Sequence, residues 1–257
     1  CQCFAVLRLQ VYKESNGQRY FKEMGHGVAL DVVDLSSEED IEGAKKAFLS
    51  DFSKTCFVDG LHLYQACILI LSEDTLCIYL NQHHSITDSL SCKLIFQQLS
   101  EVYVQLQQGR SGNEIKLEQD DFFDFLTAQK SYDGSPKYHE NELFWQQYYP
   151  NAVEPLQFYG QSTFFKTART TRVSTSLSVE TMALFNAHSL ICSPAMIFTT
   201  ATFAFLKLIS GNTDLAIGVP LLNRTEQFAH VAGLLMDICP NRIRIEDDDS
   251  FSCLLEK

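Results

Sequence analysis

The sequence reads as a mixed α/β (α+β) chain, on three observations. Short runs that alternate apolar and polar residues mark strands. Longer stretches with an apolar residue every three or four positions mark helices. A hydrophobic content of 46%, with 19 Phe and 10 Tyr, supplies material for a buried core, and 257 residues suffice for one large core or two smaller ones.

Residues 4–12 alternate and are rich in Val, Leu and Phe, which predicts a strand. Asn16-Gly17 is a hairpin turn signal, and "YFKEM" (20–24) then returns as the partner strand. Ser36 and Glu39 fit a capping box, and Ile41, Ala44, Phe48 and Phe52 recur at helical spacing, so a helix is predicted over 37–54. Residues 63–71 and 75–82 are apolar runs around "SEDT", a second hairpin that leads into His83-His84. From 89 to 107 the period changes. Leu90, Leu94, Ile95, Leu99, Val102, Tyr103 and Leu106 fall on one helical face, with Asp88 or Ser89 as cap. After a polar break at 107–114, short helices are predicted at 121–130 and 138–149; Phe122, Phe123, Phe125 and Trp145 on them read as core packing.

Residues 150–168 contain two prolines and read as an irregular crossing, which predicts lobes at 1–155 and 156–257. A strand is expected at 171–177 and a helix from Ser178. Ser193-Pro194 sets an N-cap with Pro at the first helical position; the helix it starts is apolar nearly all round, hence expected to be buried, and stops at Gly211. Strands at 214–221 and 241–247 follow, and "SFSCLLEK" closes as a helix. The sequence opens inside an apparent strand and stops inside an apparent helix, so truncation at both ends is expected.

The formal net charge is −12 and no run of Lys or Arg exceeds two, which excludes a basic nucleic-acid-binding face. The nine cysteines include no C-x-x-C pair; Cys1 and Cys3 form only a C-x-C. Disulfide and zinc frameworks fit poorly, and buried free thiols in a reducing, cytoplasmic setting are expected. No apolar stretch reaches eighteen residues, so no membrane span is expected. "DDD" at 247–249 reads as a solvated turn, and no metal is expected.

The chemistry concentrates in "NQHHSITDSLS", 81–91. Neighbouring residues on a strand point to opposite faces, so His83 and His84 cannot easily share a metal; the i, i+4 spacing of a zinc helix is absent. One ring is expected to pack and hydrogen-bond, the other to project into a cleft. A single histidine at a strand end is ordinarily a satisfied surface or core residue. Here two histidines, an acid four residues after the second and a strand-to-helix corner coincide, and such corners present backbone N–H groups beside a side chain.

"HHSITDS" resembles the HHxxxDG motif of condensation domains from nonribosomal peptide synthetases, within a wider acyltransferase superfamily. "VLRLQVY" with "NGQ", "ALDVVDLSSEED", "FFDFLTAQKS" with "NELFWQQYY", "TDLAIGVPLLNR" (similar to DxxxGxPxxxR) and "VAGLLMDICPNRIRI" (similar to GxFVNTLPLRV) follow in family order. The resemblance implies a V-shaped fold of two chloramphenicol-acetyltransferase-like lobes. It implies amide formation between a carrier-bound acyl or peptidyl thioester and a carrier-bound aminoacyl amine. Both would ride on phosphopantetheine arms of partner carrier proteins, with an adenylation domain in the same polypeptide, as in a peptide or hybrid polyketide–peptide synthetase.

By the resemblance His84 is the catalytic histidine, either taking a proton from the amine or stabilising the tetrahedral intermediate. His83 is structural. Asp88 is structural as well and pairs with an arginine, Arg224 first and Arg242 second, because an unpaired buried carboxylate is costly. Ser89 stands where the family has Gly, which would narrow the substrate channel or change the turn. Asp237 stands where the family has Asn. Alternatives within the fold are an epimerising, ester-forming or coenzyme A-dependent enzyme; "GLLMDICPNRIRI" is closer to the condensing type, and the aspartates of heterocyclising domains are not seen. Outside enzymes, Ser89 and Asp237 motivate a degenerate module that only docks carrier proteins.

Overall fold

The computed structural model describes residues 4–54, 57–58, 60–112, 114–115, 117, 121–154, 156, 173–188 and 192–257. The chain forms two compact units: Cys1–Asn141 with Leu221–Asp237, and Glu142–Pro220 with Ile238–Lys257.

The first unit opens with a 3-10 turn, Ala5–Arg8, where alternation predicted a continuous strand. Ala5, Val6 and Leu7 bury a tight turn as readily as a pleat, so apolar content there does not discriminate. Strand β1 (Leu9–Lys13) pairs antiparallel with β2 (Arg19–Glu23) across the Asn16-Gly17 turn, whose glycine sits at φ +88°. Strand β3 (Asp31–Asp34) then runs parallel to β4 (Tyr64–Ser72), which pairs antiparallel with β5 (Thr75–Gln82).

The crossover from β3 to β4 carries helix α1 (Ile41–Phe52). It begins four residues later than predicted. Asp40 caps it, accepting from the Gly43 N–H, while Ser36 is held by the Asp34 carboxylate instead. The predicted face is right: Ala44, Phe48 and Phe52 pack over Cys67 and Leu69. Because side chains alternate, the other face of β4 presents Tyr64 and Ala66 to a second core with Leu9, Ile86, Ile95, Phe122 and Val231.

Strand β5 delivers the histidines. Its last residue, Gln82, pairs with Tyr64, and the His83 N–H continues the ladder to Leu63 O at 2.8 Å. Helix α2 spans Ser89–Gln107, as its periodicity predicts. Its face is buried at Ile95 and half-buried at Leu99, but Tyr103 and Leu106 are exposed. Helix α3 (Phe122–Tyr132) buries Phe122 and Phe125; Phe123 points outward, a correction to its reading as core.

Helix α4 (Pro136–Tyr148) carries Trp145 into the second unit. That residue is 39% exposed, stacked on Tyr149 at 5.9 Å between ring centroids, so aromatic contact and not burial accounts for it. The expected strand over 171–177 is not observed: residues 173–178 hold no regular structure, and 171–172 lie outside the described residues, as does most of 150–168. Helix α5 (Val179–His188) follows Ser178, and α6 (Pro194–Ser210) is capped by Ser193 and stopped by left-handed Gly211. Only one face of α6 is buried. Phe203 and Leu206 join Leu215, Ile243 and Leu254, whereas Phe198, Phe205 and Leu208 are exposed, so an all-round apolar composition overstated burial. Strands β6 (Asp214–Leu221) and β7 (Asp237–Arg244) pair, β7 beginning four residues before its predicted start, and α7 (Phe251–Glu256) ends the chain.

Among the described residues Cys67 is buried and Cys77, Cys92, Cys192, Cys239 and Cys253 are half-buried, fewer buried thiols than expected. Cys1, Cys3 and Cys56 lie outside the described residues. No helix among those described is long and apolar enough to cross a membrane.

Candidate active site

The corner between β5 and α2 is a single 3-10 turn, His84–Ile86, pinned by the buried side chain of Ile86. Each histidine finds a different local partner. His83 Nδ1 accepts from the Ser85 N–H at 3.1 Å and lies 2.7 Å from Ser85 Oγ, so it caps the turn and carries its own proton on Nε2 when neutral. His84 Nδ1 lies 2.7 Å from Thr87 O. A carbonyl only accepts, so Nδ1 is the protonated nitrogen and the lone pair sits on Nε2. Two adjacent imidazoles thus hold opposite tautomers, set by the bonds each makes.

Both rings are exposed. The Phe57 ring stands edge to face with His83 at 5.8 Å between centroids. His83 and Ser85 also line a cavity of about 400 Å³ walled by Val11, Tyr20, Phe21, Phe57, Val58 and Leu63. The first histidine therefore packs and hydrogen-bonds, yet opens onto space of its own.

Asp88 caps α2 from a fully buried position, its side chain 0% exposed. Oδ1 accepts from Ser91 N–H (2.9 Å), Ser91 Oγ (2.8 Å) and Arg224 Nη2 (3.0 Å). Oδ2 accepts from Arg224 Nη1 (2.9 Å), Leu235 N–H (3.1 Å) and Met236 N–H (3.0 Å). Burial pushes this carboxyl up, but the fork from Arg224 and the hydroxyl and N–H donors outweigh it and hold the group well below the usual carboxylate range. Arg224 follows Asn223, whose left-handed backbone (φ 48°) turns the chain after β6. Its guanidinium also reaches Leu222 O and Val231 O.

Arg242, the second candidate partner, does not serve Asp88. It lies on β7 beside β6, where Asp214 offers a nearer carboxylate: Arg242 Nε donates to Asp214 Oδ1 at 2.8 Å, and the guanidinium lies over the Tyr149 ring. Proximity on paired strands decides the match.

A family model, Condensation domain, matches residues 5–257. The chain belongs to the condensation-domain family. Surfactin synthase subunit 1 of Bacillus subtilis (strain 168) is 22% identical over 96% of this chain, and malpibaldin synthetase of Mortierella alpina is 22% identical over 96%. The first condensation domain of the calcium-dependent antibiotic synthetase, solved with a substrate analogue, superposes with a TM-score of 0.81 at 22% identity over 99% of this chain. The starter condensation domain of rhizomide synthetase, with C8-CoA, gives 0.78 at 21% over 98%. Those solved structures are two-lobed condensation-domain folds. The chain spans 61% of the calcium-dependent antibiotic domain's length and 7% of the surfactin synthase subunit.

Within this condensation domain, Ser89 is the first residue of α2 and exposed. Among the described residues Asn223 alone, apart from glycines, has a left-handed φ, so Ser89 replaces Gly without backbone strain. Asp237 is the exposed first residue of β7. Among the described residues no three or more His, Cys, Asp or Glu side chains are placed to hold a metal. The "DDD" turn instead spends Asp247 on Lys207 and Asp249 on Lys257.

The Asp88 cluster holds partners that sequence reasoning missed. The Leu235 and Met236 donors are backbone groups with no side-chain signature. Ser91 had one faint signal, its place three residues after the cap, where a capping box puts a polar side chain. Gly233 is legible once the site is built: a Cβ there would stand 2.7 Å from two Phe122 ring carbons. Gly233→Ala is therefore expected to destabilise by about 1–3 kcal/mol through overpacking, read from the urea midpoint.

Proposed function

We propose that the chain acts in a nonribosomal peptide synthetase, joining a carrier-bound acyl or peptidyl thioester to a carrier-bound aminoacyl amine. The observation that supports this reading above all is the His84 tautomer. Its Nε2 lone pair is left free on an exposed ring whose other nitrogen is held by Thr87 O.

In this reading the amine nitrogen bonds to the thioester carbonyl carbon, and Nε2 takes the proton the amine sheds. The C–S bond breaks as the tetrahedral intermediate collapses, and the departing thiolate recovers a proton. Holding two tethered reactants in register supplies on the order of 7–11 kcal/mol of the barrier, and a positioned base a further hundred- to ten-thousand-fold. The phosphopantetheine arms are substrate handles brought by upstream and downstream carrier domains. Ser89 and Asp237 line the path of those arms, and Arg242 supports the second lobe through Asp214. Lobes divided at 1–155 and 156–257, an adenylation domain in the same polypeptide and a cytoplasmic setting complete the proposal.

The test loads two carrier proteins, one with an acyl and one with an aminoacyl group, adds the chain and follows the carrier-bound product by mass spectrometry. An amide on the downstream carrier is expected. Binding of both carriers with no product points to the docking module instead, and an epimerised or esterified product to the other reactions.

A further inference from the structure

We infer that Ser91 is a positioning residue for His84; the inference rests on the reading of His84 as the base.

Ser91 lies in the first turn of α2 with no exposed surface. Its Oγ is within bonding distance of four groups: Gly233 O at 2.6 Å, Asp88 Oδ1 at 2.8 Å, Gly233 N at 2.9 Å and Arg224 Nη2 at 3.0 Å. A hydroxyl has one hydrogen and two lone pairs. The lone pairs accept from the Gly233 N–H and from Arg224, and the one hydrogen lies between two acceptors. A single oxygen thereby joins the carboxylate, the guanidinium and the 231–236 segment, 142 residues away along the chain.

The link to the imidazole runs through one peptide group. His84 Nδ1 donates to Thr87 O, and Thr87 shares its peptide with Asp88. That peptide is planar, so fixing the Asp88 backbone fixes the direction of Thr87 O. The Asp88 backbone is fixed in turn by its side chain, which Ser91 and Arg224 hold. Without the hydroxyl, the Ser91 N–H and Arg224 still hold Asp88, and the loop survives. The Gly233 N–H, however, is left buried without this acceptor, and the segment that supplies Leu235 N–H and Met236 N–H to Asp88 is left with only the longer Arg224 bonds to Val231 O and Gly233 O beside them. A Ser91 that only satisfied buried polar groups would lower stability on removal and leave kcat and the His84 ring unchanged.

The experiment uses the 257-residue chain and its Ser91→Ala variant, below the unfolding temperature of both. It reads kcat and KM with an acyl N-acetylcysteamine thioester and a small amine, and the ¹⁵N resonance of His84 Nδ1. Ser91→Ala is expected to lower kcat about ten- to a hundredfold with KM held within about twofold, since small misplacements of a reacting group act on that scale. The Nδ1–H signal is expected to shift and exchange faster. Unchanged kcat and an unchanged ring signal in the folded variant overturn the inference, whatever happens to Tm. If the parent chain shows no turnover, the proposed reaction fails, and the ring signal alone decides the Ser91 role. If Ser91→Ala does not fold, Ser91→Cys, which keeps a weak donor on the same carbon, is read in the same way.

Discussion

His84→Ala is expected to lower amide-forming turnover by about a hundred- to ten-thousand-fold while leaving the chain folded. The imidazole is exposed, so truncation leaves no cavity and removes one hydrogen bond, the donor to Thr87 O. The stability change should stay at about 1 kcal/mol, the usual scale for one lost hydrogen bond, and near- and far-UV circular dichroism should be unchanged. The rate loss is therefore separable from unfolding. His84→Gln sharpens the result. A glutamine side chain retains a hydrogen-bond donor but has no basic lone pair near neutrality. If His84 works as a base, Gln is as inactive as Ala. If it works by hydrogen-bonding the tetrahedral intermediate, Gln recovers part of the rate. The measurement is single-turnover transfer between loaded carriers; parent-like rates in His84→Ala would sink the mechanism.

How far the site was legible depends on what each residue's signal was made of. The strand leading to His83 and the helix after Asp88 could be read because periodicity and an N-cap are written in side chains. Arg224 came first and Arg242 second by the resemblance; that a buried carboxylate demands a cation names a charge and not a position, so it could not strike out Arg242. Only β6 and β7, placed side by side, give Arg242 to Asp214. The donors from Leu235 and Met236 were invisible, since every residue but proline has an N–H and only folding aims it. The Ala5–Arg8 turn and the start of α1 failed for a related reason: several polar residues could cap, and apolar composition does not distinguish a 3-10 turn from a pleat. Trp145 and α6 show the limit of reading burial from hydrophobicity, which states what a residue favours and not what covers it.

Asp88→Asn is expected to be the most destabilising single change, at about 3–5 kcal/mol, because it leaves the Arg224 guanidinium buried without a counter-charge. Arg224→Met should cost a similar amount by the converse route, stranding the carboxylate. The double variant Asp88→Asn/Arg224→Met should cost clearly less than the sum, since neither charge is then buried alone, and the shortfall measures the coupling. The sign of the pH dependence follows from the direction of the shift. Asp88 is held below its ordinary value in the fold, so the unfolded chain binds its proton first as pH drops. The stabilisation is thus fully present above the unfolded carboxylate's titration, near pH 4, and drains away as acid descends toward the folded value. Urea titrations should give a parent whose unfolding free energy falls below about pH 4, and an Asp88→Asn variant lacking that component. A variant that keeps the parent's acid slope would mean that other carboxylates, such as Asp214 or Asp249, carry it. Both are also held low, by Arg242 and by Lys257. They differ from Asp88 in exposure, Asp214 more than Asp249, so their share should be screened by salt. Repeating the titration at high ionic strength separates the two sources: the Asp88 component should persist and the surface component fade.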